Sequence, residues 1–194
     1  SSYKATSQGA DHKRVPNDVA ENPVIIGHEF CGYIVEVGAK WQDQFKPGDK
    51  FVIQPALNYK GSLFSPGYSY PHIGGDATYV IIPEEVMLCG CLLPYDGDAF
   101  FYGSLTEPMS CIVGGFHANY HGKPGVYEHT MGCKPRGNMA ILAGAGPMGL
   151  GCADYAIHGG NPPRLLVITD IDEARLARAA ELTTVEDAAA HGVK

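Results

Sequence analysis

Apolar positions fall into short runs through the first half of the chain and longer runs near its end. Val24-Ile25-Ile26, behind Asn22-Pro23, is a short apolar run that reads as a first possible strand. Gly32-Tyr33-Ile34-Val35-Glu36-Val37-Gly38 is rich in β-branched residues and bounded by glycines, the pattern of a strand. Phe51-Val52-Ile53 predicts another strand, entered from a turn over 45–50 with Pro47-Gly48 at its centre. Thr78-Tyr79-Val80-Ile81-Ile82 predicts a fourth strand, stopped by Pro83. The polar stretch 5–22 reads as loop, and residues 55–75, rich in Gly, Pro, Ser and Tyr, read as an irregular lobe. Short strands separated by turn signals predict a β-rich, barrel-like module.

The pattern changes near residue 105. Pro108 suits the first position of a helix, and 109–120 can continue it, weakened by Gly114-Gly115. Residues 122–137 read as loop. Met139-Ala140-Ile141-Leu142-Ala143 is continuously apolar, as in a strand buried on both faces. A helix over 146–157, ended by Gly159-Gly160, leads to a second such strand, Leu165-Leu166-Val167-Ile168-Thr169. A last helix over 172–181 opens with Asp172 and Glu173, acids that favour a first turn. This β-α-β-α order is the start of a doubly wound parallel sheet.

The fold class predicted is therefore α/β, a barrel-like β-module over 1–107 followed by a doubly wound domain over 108–194. Two strands do not complete such a sheet, and both modules read as incomplete. The chain has 194 residues and a net charge of −7, which argues against a nucleic-acid backbone or an anionic membrane as partner. The longest apolar stretch, 139–153, is too short and Gly-rich to span a bilayer, and the start lacks the pattern of a signal peptide. Six cysteines without a C-x-x-C pair predict reduced, mostly buried thiols and a cytoplasmic protein. A zinc site at Cys89 and Cys91 lacks the second cysteine pair it would need.

Gly144-Ala145-Gly146-Pro147-Met148-Gly149 fits G-x-G-x-x-G between a predicted strand and helix, the context in which the motif has a mechanism. Gly144 allows the tight turn, Gly146 lets the backbone approach a pyrophosphate, and Gly149 lets the helix pack closely. Pro147 and Met148 complete the loop, and the helix N-terminus offers N–H groups to phosphate. Asp170 ends the second strand, where an acid can bind adenosine ribose hydroxyls and repel the 2′-phosphate of NADP. These residues predict NAD. His28 and Glu29, between the first two predicted strands, are candidates for metal chemistry. By itself His28 also reads as a hydrogen-bonded structural histidine, and Glu107 as a first-turn helix acid.

The segments 27–32 (G-H-E-F-C-G), 35–38 (V-E-V-G), 46–52 (K-P-G-D-K-F-V), 74–79 (G-G-D-A-T-Y) and 106–110 (T-E-P-M-S) together resemble the medium-chain zinc-dependent alcohol dehydrogenases. The segments 106–110 and 169–176 resemble the sorbitol dehydrogenase branch. The resemblance spans about 22–181 and implies a GroES-like catalytic domain joined to a Rossmann domain. It also implies a catalytic zinc held by His28, Glu29 and Glu107, with Glu29 binding directly or through the zinc's water. Arg175 would help Asp170 hold the ribose. Zinc would act as a Lewis acid on the substrate oxygen during hydride exchange with the nicotinamide.

The family's catalytic cysteine precedes its G-H-E motif, and no cysteine precedes Cys31 here. The resemblance puts that cysteine just before Ser1 and makes Ser1 the relay hydroxyl. No cysteine lies within 55–75, so no structural zinc is expected. Segments 8–14, 41–42 and 54–59 resemble bacterial reductases of L-sorbose 1-phosphate. They imply a polyol or sugar-phosphate substrate, with Lys4, Lys13 or Arg14 as phosphate contacts or simply as a solvated loop. The resemblance further implies a homodimer or homotetramer. Two other readings are a zinc-free reductase of the same superfamily and a catalytically silent nucleotide-binding protein.

Overall fold

The structure is a computed structural model that describes residue 11 and residues 13–194. The chain divides into two compact units, Ser1–Glu107 and Pro108–Lys194. In the first, β1 (Cys31–Tyr33), β2 (Lys50–Ile53) and β3 (Leu92–Pro94) form an antiparallel sheet in that order. Cys31 pairs with Val52, and Val52 with Leu93. The turn before β2 is tied at both ends, with Gly48 N–H donating to Ile34 O and Ile34 N–H to Asp49 O. Ile34, Phe51, Ile53, Leu57, Ile73, Val86, Cys91 and Leu92 make the core of this unit.

That sheet is open and does not close into the expected barrel. The apolar stretches 24–26 and 78–82 join no ladder among the described residues, and Thr78 and Tyr79 lie in a bend. Isolated bonds hold them instead, Ile25 N–H to Tyr70 O, Asp76 N–H to Ile26 O and Ile81 N–H to His72 O. The predicted strand 32–38 is reduced to β1, because the chain turns away after Ile34 to pair with Asp49. Three elements escaped the hydrophobic pattern: α1 (Glu84–Leu88), β3 and α2 (Phe100–Ser104). α1 begins directly after Pro83, with Glu84 and Glu85 in its first turn, so the proline that ends the apolar run also starts a helix.

The second unit holds most of α3 (Thr106–Ala118), then β4 (Tyr120–His121), which takes the last residue of the expected helix, paired with β5 (Thr130–Met131) inside the stretch 122–137 expected to be loop. β6 (Asn138–Ile141) and β7 (Leu165–Ile168) are parallel, joined by α4 (Pro147–His158). This is the predicted β-α-β unit with ends shifted by a residue or two. α3 packs on α4 through an edge-to-face contact of Phe116 and Tyr155, with centroids 4.9 Å apart. β6 is not buried on both faces: Asn138 and Ala140 are exposed, since a sheet of two strands covers little of itself. α5 (Glu173–Leu182) is capped by Asp172, and α6 (Val185–Ala190) by Thr184. α6 lies beyond the residues 22–181 over which the resemblance was drawn. The tail runs beside β7, with Leu166 N–H donating to Lys194 O.

Candidate functional site

Gly27 and His28 sit in a loop clamped from two sides. Gly75 N–H donates to Gly27 O at 2.6 Å, and Gly67 lies against the same peptide. A Cβ on Gly67 would stand 2.6 Å from His28 N, and its φ of +76° disfavours any side chain. The loop is therefore fixed by close backbone approach, and His28 is presented at a defined place. Tyr68, next to that glycine, is buried, and its ring lies 4.8 Å from the His28 ring. The Tyr68 hydroxyl is 3.4 Å from His28 Nε2.

His28 Nε2 is 3.7 Å from Glu29 Oε1. Glu107 reaches the same spot from the first turn of α3. One donor atom each from His28, Glu29 and Glu107 lies within 4.8 Å of the other two. These are the three ligands the sequence resemblance implied, and all belong to the first unit. A nitrogen with two carboxylate oxygens suits a borderline divalent ion such as zinc, which takes three protein ligands and an open position in catalytic sites. Burial raises the Tyr68 pKa, and the charges of Glu107 and Glu29 add to that, while Arg14 opposes them. Tyr68 therefore stays a neutral phenol at neutral pH.

Nothing in the residue pattern singles out Tyr68. It stands in a Gly-, Pro-, Ser- and Tyr-rich segment, and only its place directly after the Pro66-Gly67 pair hinted at a fixed turn. Arg14 donates to Leu63 O at 2.9 Å, and its charge acts on Tyr68. Ser1 and Lys4 lie outside the described residues. Lys13 is exposed. None of the six cysteines is disulfide-bonded, but only Cys91 is buried and Cys111 is exposed, so the expected burial of most thiols does not hold. Cys91 S–H donates to Cys89 O at 3.5 Å. A cavity of about 890 Å³ is lined by apolar side chains such as Phe30, Trp41 and Phe51 and by none of the three metal candidates.

In the second unit, the glycine loop joins β6 to α4. Gly144 N–H donates to Thr169 O at 2.7 Å, and Ala145 N–H to Asp170 Oδ2 at 3.1 Å. A Cβ on Gly149 would lie 2.5 Å from Gly144 Cα, so only glycine lets the helix rest on this turn. Gly146 caps α4, with Pro147 and Met148 following, and the space beside its α-carbon is open. Asp170 also accepts from Asp172 N–H at 3.1 Å. These backbone N–H groups, Asp172 first and then Ala145, lower its pKa, and the Arg175 charge contributes further. Arg175 itself pairs with Asp172 at 3.5 Å.

Residues 3–91 match the family profile of the alcohol dehydrogenase GroES-like domain. Over nearly its whole length the chain is similar to medium-chain dehydrogenases. Among curated members, L-sorbose 1-phosphate reductase of Klebsiella pneumoniae is 55% identical over 92% of this chain and 44% of its own length. Mannitol-1-phosphate 5-dehydrogenase of Aliivibrio fischeri is also 55% identical, over 100% of this chain and 46% of its own. Sorbitol dehydrogenase of Homo sapiens is 30% identical over 89% of this chain and 46% of its own. The chain thus spans about half the length of these dehydrogenases. The fold is shared with 2R,3R-butanediol dehydrogenase of Bacillus subtilis, at a TM-score of 0.59, 24% identity, and coverage of 82% and 43%.

Proposed function

We propose that this chain carries the metal and nucleotide sites of a zinc- and NAD-dependent oxidoreductase that interconverts a phosphorylated polyol and its ketose. In this reading 1–107 is the catalytic domain and 108–194 the nucleotide-binding domain. The observation that carries it is the convergence of His28, Glu29 and Glu107 beside a buried tyrosine. Zinc held by His28, Glu29 and Glu107 would supply Lewis-acid polarisation of the substrate oxygen, and a bound nicotinamide would be the hydride donor or acceptor.

The chain's own residues divide the remaining work. His28 and Glu107 hold the metal, and Glu29, the more solvent-accessible carboxylate beside His28, binds it directly or through water and exchanges protons with solvent. Gly144, Gly146, Pro147, Met148 and Gly149 form the pyrophosphate loop, whose helix N-terminus offers N–H groups to the phosphates. The lowered pKa keeps Asp170 ionised, so it accepts ribose hydroxyls and repels a 2′-phosphate, which favours NAD over NADP. Arg175 stands by for the same ribose. Arg14 is the phosphate candidate with structural support, since its charge is felt at Tyr68. Two relatives named for phosphorylated sugars favour such a substrate. Six undisulfided cysteines fit a reducing cytoplasm, and kinship to sorbitol dehydrogenases favours a homo-oligomer.

Elemental analysis and a substrate comparison test the proposal. Zinc bound to wild-type protein should be lost in part in His28→Ala together with activity, and L-sorbose 1-phosphate should outperform unphosphorylated sorbose with NADH. Full activity of metal-stripped protein would refute the metal reading. Equal turnover of the free sugar would remove the phosphate from it.

A further inference from the structure

A second set of metal-ligating side chains lies in the other unit. His158 ends α4, while Asp187 in α6 and His191 at its C-cap are four residues apart and share one helix face. One donor atom each from His158, Asp187 and His191 lies within 4.8 Å of the other two. We propose that these three residues bind a single divalent cation of the zinc type, which pins α6 to the end of α4.

Four features carry this. His158 Nε2 lies 3.0 Å from Asp187 Oδ2, and His191 Nδ1 lies 3.7 Å from Asp187 Oδ1 and 3.0 Å from Asp187 O, a contact it gives up when it ligates. Ligand atoms about 2.0–2.2 Å from a shared tetrahedral ion stand roughly 3.3–3.6 Å apart, so these separations bracket the required spacing. The imidazoles meet edge to face with centroids 4.6 Å apart, bringing both rings to the same carboxylate. His158 Nδ1 lies 3.0 Å from Asp154 Oδ1, one turn earlier in α4. A carboxylate on the far nitrogen holds the proton at Nδ1 and frees the Nε2 lone pair for a metal, the arrangement that supports histidine ligands elsewhere.

Two imidazoles and one carboxylate select zinc-like ions over magnesium or calcium, which prefer oxygen alone. The fourth position falls to water, because the side chains are part-exposed. Binding would stabilise more than α6. Val193 N–H donates to Ala188 O, and the following residue pairs with β7, so the ion would fasten the tail beside the parallel sheet. This site shares no residue with His28, Glu29 or Glu107, and it stands whether or not that trio is catalytic.

The test is Zn²⁺ titration of metal-stripped protein, read by elemental analysis and thermal unfolding, with circular dichroism as the check on folding. Asp187→Asn and His191→Gln should each bind about one ion fewer per chain than wild type and lose most of the Zn²⁺-induced rise in Tm. His28→Ala should lose an ion yet keep a rise that Asp187→Asn lacks. Equal zinc content and an equal Tm shift in wild type, Asp187→Asn and His191→Gln would overturn the proposal. So would a rise in Tm that disappears only in His28→Ala.

Discussion

At the scale of single residues, Gly67 and Tyr68 decide how His28 is presented. A methyl group at Gly67 must be accommodated 2.6 Å from His28 N in a backbone with φ of +76°. Gly67→Ala is therefore expected to destabilise the protein by about 1–3 kcal/mol, read as a lower denaturant midpoint at unchanged slope. The clash is with the His28 peptide itself, so metal affinity should fall as well. A Gly67→Ala protein with wild-type stability would show that the clamp is softer than its geometry. Tyr68 acts differently, since it adjoins the metal candidates without being one. Tyr68→Phe keeps the ring stacked on His28 and removes only the hydroxyl 3.4 Å from Nε2. It should leave zinc content intact and lower kcat about fivefold, the worth of a hydrogen bond of about 1 kcal/mol. Equal loss of zinc and activity would make Tyr68 a structural support instead.

At the scale of elements, the glycine loop and Asp170 form one hydrogen-bonded corner between β6 and β7. Asp170 accepts from Ala145 and Asp172 N–H groups, and its pKa is lowered from the ordinary 3.8. A depressed folded-state pKa gives stability that is present above the ordinary value and is lost as pH falls through the folded value. The difference in Tm between wild type and Asp170→Asn should thus be largest above pH 3.8 and shrink below it. A difference that grows on acidification contradicts this sign. The corner was legible in the sequence because each part obeys a local rule: an apolar strand, glycines at fixed offsets, an acid after the next strand. α1, β3 and α2 were not, because each has only three to five residues, too few to show a period, and β3 also depends on a partner distant in sequence. β3 exists only because Leu92 and Leu93 meet Ile53 and Val52. The stretch 78–82 failed in the opposite sense: its β-branched pattern is clear, but no strand pairs with it among the described residues.

At the scale of the whole molecule, the two candidate sites belong to different compact units, and this permits a dissociation experiment. His28, Glu29 and Glu107 all lie in Ser1–Glu107, and the glycine loop with Asp170 and Arg175 lies in Pro108–Lys194. No residue on its own revealed the metal cluster: His28 resembled a structural histidine and Glu107 a first-turn acid until family resemblance, and then geometry, put them together. Two substitutions separate the units. His28→Ala should reduce turnover by about 10³-fold, equivalent to about 4 kcal/mol of transition-state stabilisation, while NADH still binds with its wild-type Kd. Gly146→Val fills the open space at the cap of α4 and should abolish NADH binding while zinc at the first site persists. Fluorescence titration of NADH and elemental analysis on both variants read the two effects. If His28→Ala weakened NADH binding as strongly as it reduced turnover, the assignment of metal and nucleotide to separate units would fail. If Gly146→Val bound NADH normally, the loop would not be the pyrophosphate site, and the sequence motif would be a packing turn with no ligand.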